Sequence, residues 1–327
     1  MPASSKSAVP SVPSAPFAGS AGSVSAAPES SAASLSATGA THLRPRLDDL
    51  YSAFDLEHVV ADPIWIVRRF RHPADREIVA FCAAALAFGR VQSVLNSIEA
   101  LVAVMGERPA EFVRRFEPEV HGAALFPLVH RWTRGVDLVA LLWLLRQMIE
   151  RGGSLEGFFA EGIAADAETV EAALESFSTR ALTLDLTEAY GRLPARPGVA
   201  YFFSRPSSGG ACKRLNLFLR WMVRIDRVDL GLWTRVRPAQ LIVPLDTHVI
   251  RVGRCLRLTR LTSPGWRMAA DITRSLRALD PRDPVKYDFA LCHLGMMSAC
   301  GFGTKQKDSQ CPLKGACRPK VSARRKP

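Results

Sequence analysis

The chain has 327 residues, 48% of them hydrophobic, with 43 basic and 31 acidic side chains and a formal charge of +12. That length holds one large domain or two small ones with a sizeable core, and the basic balance suits a polyanionic partner, nucleic acid first. No apolar run reaches membrane-spanning length, and the N-terminus lacks the basic start and apolar stretch of a secretory signal, so a membrane or secreted protein is not expected.

Residues 1–45 are rich in Ala, Ser and Pro and nearly uncharged. Such a segment buries too little surface to offset its ordering entropy and reads as a disordered tail. From Leu47 onward apolar residues recur at helical spacing. Asp75 to Gly89 reads as a buried helix and Gln92 to Met105 as an amphipathic one, joined by Gly89-Arg90-Val91-Gln92. Further helices are expected at Pro109–Phe116, Gly135–Arg151, Leu155–Ala164 and Ala167–Leu182, with Trp132 and Trp143 in the core.

Ser207-Ser208-Gly209-Gly210 forms a turn with anion-binding potential ahead of a helix from Ala211 to Arg224. Asp246 precedes the periodic Val249, Ile250, Val252 and Leu256 and reads as an N-cap. Ser263-Pro264 starts a helix over Trp266–Leu279, and Val285–Met297 makes the last one. The fold class is all-α, with residues 46–299 as the helical domain and 300–327 as a cysteine-containing basic loop and tail.

Lys213 and Asp246 are the reactive groups, each at a helix start. A lysine in a helix's first turn meets the positive end of the dipole, which favours the neutral, nucleophilic amine. A carboxylate nearby can orient that amine or stabilise a developing cation. The plainer reading is a solvated lysine and a simple cap.

Taken together, Gly209-x-x-x-Lys213 and Leu245-Asp-Thr-His-Val-Ile-Arg-Val252 resemble the helix-hairpin-helix DNA glycosylases, in particular endonuclease III and the archaeal 8-oxoguanine glycosylases. The resemblance implies two helical lobes with the hairpin at the cleft between them. It makes Lys213 the nucleophile on the sugar C1′ and Asp246 the catalytic carboxylate. Gly209 matches the first hairpin glycine; Ala211 stands at the second, with Gly210 displaced by one position. The connection through Asp229 to Trp233 is longer than in endonuclease III and more similar to the archaeal branch. Arg90 and Gln92 fall in the loop that fills the hole left by an extruded base; otherwise Arg90 caps a helix C-terminus. His248 adjoins the site as a DNA-contact candidate or a packing residue, and Cys212 sits beside the lysine.

Seven cysteines make no even disulfide framework, and Cys292, Cys300, Cys311 and Cys317 cluster near the C-terminus, which in a cytoplasmic chain argues for metal. Cys311-x5-Cys317 is similar to the last pair of the endonuclease III iron–sulfur loop, Cys-x6-Cys-x2-Cys-x5-Cys, and Cys300 to its first cysteine. Asp308 occupies the remaining position. Either Asp308 ligates, or Cys292 swings in, or the cluster is lost; a [4Fe-4S] cluster is expected, with zinc as the alternative. Residues 305–327, with eight basic side chains and one acidic, would contact phosphates.

The resemblance thus implies a DNA N-glycosylase with AP-lyase activity in base-excision repair. Oxidised guanine is the first expected lesion and oxidised pyrimidines the second. The partner would be double-stranded DNA carrying a damaged base, and the protein a monomer in the cytoplasm, on the nucleoid. The other readings are a non-catalytic DNA- or RNA-binding module, and a monofunctional glycosylase in which Asp246 activates water and Lys213 binds phosphate.

Overall fold

A computed structural model describes residues 37–54, 62–296, 311–314 and 316. Among them the regular structure is helical, with no strand and only the isolated bridges His130–Thr133 and Ile225–Leu230. In chain order the helices are α1 (Ala37–Ala53), α2 (Ile64–Arg68), α3 (Pro73–Leu86), α4 (Val91–Met105), α5 (Pro109–Arg114), α6 (Pro118–His121) and α7 (Gly135–Gly152). They continue with α8 (Leu155–Ala160), α9 (Glu171–Leu182), α10 (Thr187–Tyr190), α11 (Lys213–Val223), α12 (Thr247–Cys255), α13 (Trp266–Arg277) and α14 (Asp288–Met296). No helix among the described residues is long and apolar enough to cross a membrane.

The expected helices are present, and most differ by a few residues at their ends. Helix α1 is the larger difference, because it starts inside the segment read as a tail. Leu43, Leu47 and Leu50 repeat at helical spacing and are buried, so this stretch has the apolar face that the Ala/Ser/Pro residues before it lack. Tyr287 donates to Asp48 at 2.7 Å and Lys286 pairs with it at 3.0 Å, tying α1 to the start of α14. The Ser263-Pro264 start of α13 is also corrected. Gly265 occupies the N-cap, and the Trp266 N–H donates to the Gly209 carbonyl at 3.0 Å.

The core is built on helices that are apolar on nearly every side. Ile78 to Leu86 of α3 are buried without a break, and α7 buries Leu138 to Leu142 together with Leu144, Leu145 and Met148. Helix α3 packs against α2, α5 and α11, and α7 against α5 and α8. Where buried polar groups enter this core they terminate backbone. Glu77 accepts from the Leu155 and Glu156 N–H groups at the start of α8 (3.1 and 3.0 Å) and from Trp233 Nε1 (2.7 Å). These are donors that a helix start leaves without an intrahelical partner.

The C-terminal end of α11 carries a buried ionic network. Arg220 pairs with Asp229 at 3.1 Å and with Asp288; Arg224 pairs with Asp229, with Asp226 at 2.9 Å and with Asp283 at 2.9 Å. Burial alone would lower both guanidiniums, but the carboxylates, Asp229 first, hold them above their ordinary range. The network joins α11 to the 226–229 connection and to α14. Helix α14 in turn packs closely on α12.

Candidate active site

Three helix ends converge on one cavity: the C-terminus of α3 and the N-termini of α11 and α12. Lys213 is the first residue of α11, and its Nζ donates to the Ala87 carbonyl, the C-cap of α3, at 3.3 Å. Arg214 follows it into the same helix end. It donates to the Ala85 carbonyl at 3.2 Å and to Tyr201, and its guanidinium lies 3.6 Å over the Tyr201 ring. The unpaired carbonyls of a helix C-terminus attract such cations. Burial pushes Arg214 down to about 10.

Asp246 is the N-cap of α12, as its sequence position predicts. One carboxylate oxygen accepts from the His248 and Val249 N–H groups at 2.9 and 2.8 Å. The other accepts from the Cys292 thiol of α14 at 3.3 Å. Burial, followed by the Asp246 and Asp288 carboxylates, pushes the Cys292 thiol well above its ordinary range, so it remains a neutral donor.

The cavity between these groups measures about 430 Å³ and is lined by Lys213, Asp246, Arg90, His248, Asp288 and Cys292 among others. That volume falls in the range of about 300–1,000 Å³ typical of small-molecule sites. Gly89 and Arg90 form its rim on one side, and Leu217, Pro244 and Phe289 supply apolar wall.

The sequence-predicted residues divide as follows. Lys213, Asp246, Arg90, His248 and Cys292 come together at the cavity. Gln92 does not line it; its amide donates to Asn96 along α4 at 2.9 Å in an exposed position. Arg90 is exposed and occupies the N-cap position of α4 rather than capping the end of α3, where Ala87 stands. His248 packs as well as lines: a Cβ on Gly295 would stand 2.6 Å from the His248 Cβ, so glycine permits the close crossing of α12 and α14. Gly209, Gly210 and Ala211 precede α11 in the turn that follows a 3₁₀ segment at Pro206–Ser208.

In that turn Gly209 has φ +78°, a left-handed conformation that side chains resist. Gly209→Ala is expected to cost about 1 kcal/mol of stability in urea unfolding, since only the αL penalty separates the two residues. Cys212 adopts φ +48° with a full side chain, its thiol facing the Ser204 and Gly210 carbonyls at 3.5 Å. Burial pushes that thiol up to about 11. Native protein at pH 8 is therefore expected to leave Cys212 unalkylated by iodoacetamide over minutes, against rapid modification in urea, read by peptide mass spectrometry.

The metal reading reaches the described residues only in part. Cys300, Cys317 and Asp308 lie outside them. Cys311 is buried, and no group of three or more His, Cys, Asp or Glu side chains arranged for a metal occurs among the described residues. Cys292 lies among the described residues and donates its thiol to Asp246 at 3.3 Å.

Sequence reasoning missed Asp288 and Arg220, which also line the cavity. It placed Trp132 in the core, whereas its indole is 53% exposed and stacks on Phe88 with ring centroids 4.7 Å apart. An apolar residue type alone cannot tell a core ring from one on a loop beside the Gly89 rim.

No curated protein and no solved structure shows significant similarity to the chain. One family model, described as a protein of unknown function (DUF2400), matches residues 62–297, a span that includes every cavity residue named above. The chain belongs to that DUF2400 family.

Proposed function

We propose that the protein is a DNA base-excision glycosylase with AP-lyase activity, built on two helical lobes with a helix-hairpin-helix at the cleft. The observation that carries the reading is the meeting of Lys213 and Asp246, from the starts of two different helices, at one cavity of about 430 Å³. The +12 charge supports a polyanionic partner.

In this reading a damaged base is extruded from duplex DNA into the cavity, because its reacting atoms are out of reach inside the stack. The nitrogen of Lys213 attacks the sugar C1′ through its lone pair. A C–N bond forms, the glycosidic bond breaks, and its electron pair leaves with the base, which takes up a proton. Asp246 stabilises the positive charge developing on the sugar and accepts the amine proton through the oxygen that faces Cys292. Ring opening gives an iminium, and loss of a C2′ proton then expels the 3′-phosphate and cuts the strand. Arg90, at the rim, fills the space the base leaves. Cys300, Cys311 and Cys317, with Cys292 or Asp308, would hold an iron–sulfur cluster in a structural role, and no step of the excision needs it.

The test is base release and strand cleavage on duplexes carrying 8-oxoguanine or thymine glycol. Loss of both in Lys213→Gln, with DNA binding retained, supports the reading. Base release that survives in Lys213→Gln and fails in Asp246→Asn assigns water as the nucleophile instead. Unchanged behaviour of both variants leaves only a nucleic-acid-binding module.

A further inference from the structure

Beside the cavity rim a group of aromatic rings is left open to solvent. Trp132 is 53% exposed and Tyr201 40%. Their ring centroids are 5.2 Å apart, and Phe88 stacks on Trp132 at 4.7 Å and meets Tyr201 edge-on at 5.4 Å. Phe88 directly precedes Gly89 and Arg90 of the rim. Exposed apolar residues scattered singly need no explanation, but a contiguous group marks an interaction surface.

The group is held in place from below. His130 and Thr133 exchange two backbone hydrogen bonds, at 3.0 and 2.9 Å, and close a turn with Arg131 and Trp132 at its tip. The His130 Nε2 bonds the Phe88 carbonyl at 2.9 Å, which ties this turn to the rim. Arg131 has φ +56°, a left-handed conformation uncommon for a residue with a side chain. Its side chain lies against Gly89, where a Cβ would stand 3.1 Å from the Arg131 Cδ.

The partner follows from the open ring and the charge beside it. The Arg214 guanidinium lies 3.6 Å over Tyr201 and covers that ring. The Arg131 guanidinium is 5.2 Å from the centre of the Trp132 ring, beyond the ~3.5–4.0 Å of close contact, and flanks the ring instead. Trp132 is therefore the ring with room for another. Arg90 and Arg131 are both exposed, and neither pairs with a carboxylate among the described residues. A planar group with negative charge attached beside it suits both features. A paired base inside a duplex has its faces covered by its neighbours, whereas an unpaired nucleotide offers a face and a phosphate together. Aromatic rings beside a cationic surface hold single strands in this way, without reading their sequence.

We propose that Trp132 is a stacking platform for an unpaired base of single-stranded DNA, with Arg131 at the adjoining phosphate. The platform lies outside the cavity and involves no chemistry at Lys213, so it stands apart from the glycosylase reading. Joined to that reading, it makes DNA with an unpaired segment beside the lesion the preferred substrate.

The test measures binding of the full chain by fluorescence anisotropy to two end-labelled oligomers of about 12 units, within the site size of single-strand binders. One is oligothymidylate. The other is a chain of tetrahydrofuran abasic units, with the same phosphates, no bases and no aldehyde to react with Lys213. Native protein is expected to bind oligothymidylate about fivefold or more tightly than the abasic chain. Trp132→Ala is expected to abolish that preference and Trp132→Phe to keep most of it, while Arg131→Gln weakens both oligomers alike. Equal binding of the two oligomers by native protein overturns the proposal, and this comparison decides even if a variant does not fold. A preference that persists in Trp132→Ala also overturns it, because the base is then held elsewhere, as in the cavity. Failure of the excision reading would appear separately, as no borohydride adduct on an abasic duplex with the binding preference intact.

Discussion

Asp229→Ala is expected to lower the unfolding free energy by about 3–5 kcal/mol. Asp229 is fully buried and is the one carboxylate shared by Arg220 and Arg224, which are each 3% exposed. Removing it takes away the acceptor that buried Arg220 Nε and Arg224 Nη1 share, where water cannot reach to replace it, although Arg220 keeps Asp288 and Arg224 keeps Asp226 and Asp283. The cost therefore comes from breaking a buried, hydrogen-bonded charge network whose donors lose an acceptor out of reach of water. By contrast, Glu99→Ala removes the partner of Arg69 in a half-exposed pair at 2.6 Å, and is expected to cost less than about 1 kcal/mol because solvent screens it. Urea titrations of the two variants, followed by circular dichroism, read the difference as a shift in midpoint. Similar midpoints would mean that the buried network contributes no more than a surface pair.

The second large effect is on activity. Asp246→Asn is expected to reduce excision by about 10²–10⁴-fold while shifting stability by only a few tenths of a kcal/mol. The two effects separate because the carboxylate has two tasks. One oxygen caps α12 through the His248 and Val249 N–H groups. An asparagine oxygen caps as well, so the fold tolerates the change. The other oxygen faces the cavity and Cys292, where an amide can neither accept a proton nor balance a developing cation. Asp246→Ala loses the cap too and is expected to cost about 1 kcal/mol more in a thermal melt. If Asp246→Asn excises at the native rate while Asp246→Ala melts early, the residue is a cap alone.

The helices were readable because their signals, a one-sided apolar repeat or a long unbroken apolar run, are local. The runs behind α4 and α12 place their buried residues on one face at helical spacing, while those behind α3 and α7 are apolar stretches too long for a strand. Asp246 was readable as a cap because its signal spans only a few residues. The site itself was partly readable: Lys213 and Asp246 each stand at a helix start, and the fold brings both to one cavity. What the sequence hid depends on partners far apart in the chain. Asp288 meets Arg220 across 68 residues, and Cys292 meets Asp246 across 46. Nothing local marks Asp288 as buried, since an aspartate before an apolar helix is ordinarily exposed. Cys292 was grouped with the C-terminal cysteines by proximity in sequence, whereas helical geometry turns its thiol to Asp246. The left-handed Cys212 was equally invisible, because a non-glycine residue carries no signal for that conformation.

The most direct measurement is borohydride trapping. The protein is mixed with duplexes carrying 8-oxoguanine, thymine glycol or an abasic site, then reduced and resolved on a denaturing gel. A covalent protein–DNA adduct is predicted with native protein, on the abasic duplex and on at least one lesion, and its absence is predicted in Lys213→Gln. No adduct on any duplex, the abasic one included, would contradict Lys213 as the Schiff-base nucleophile.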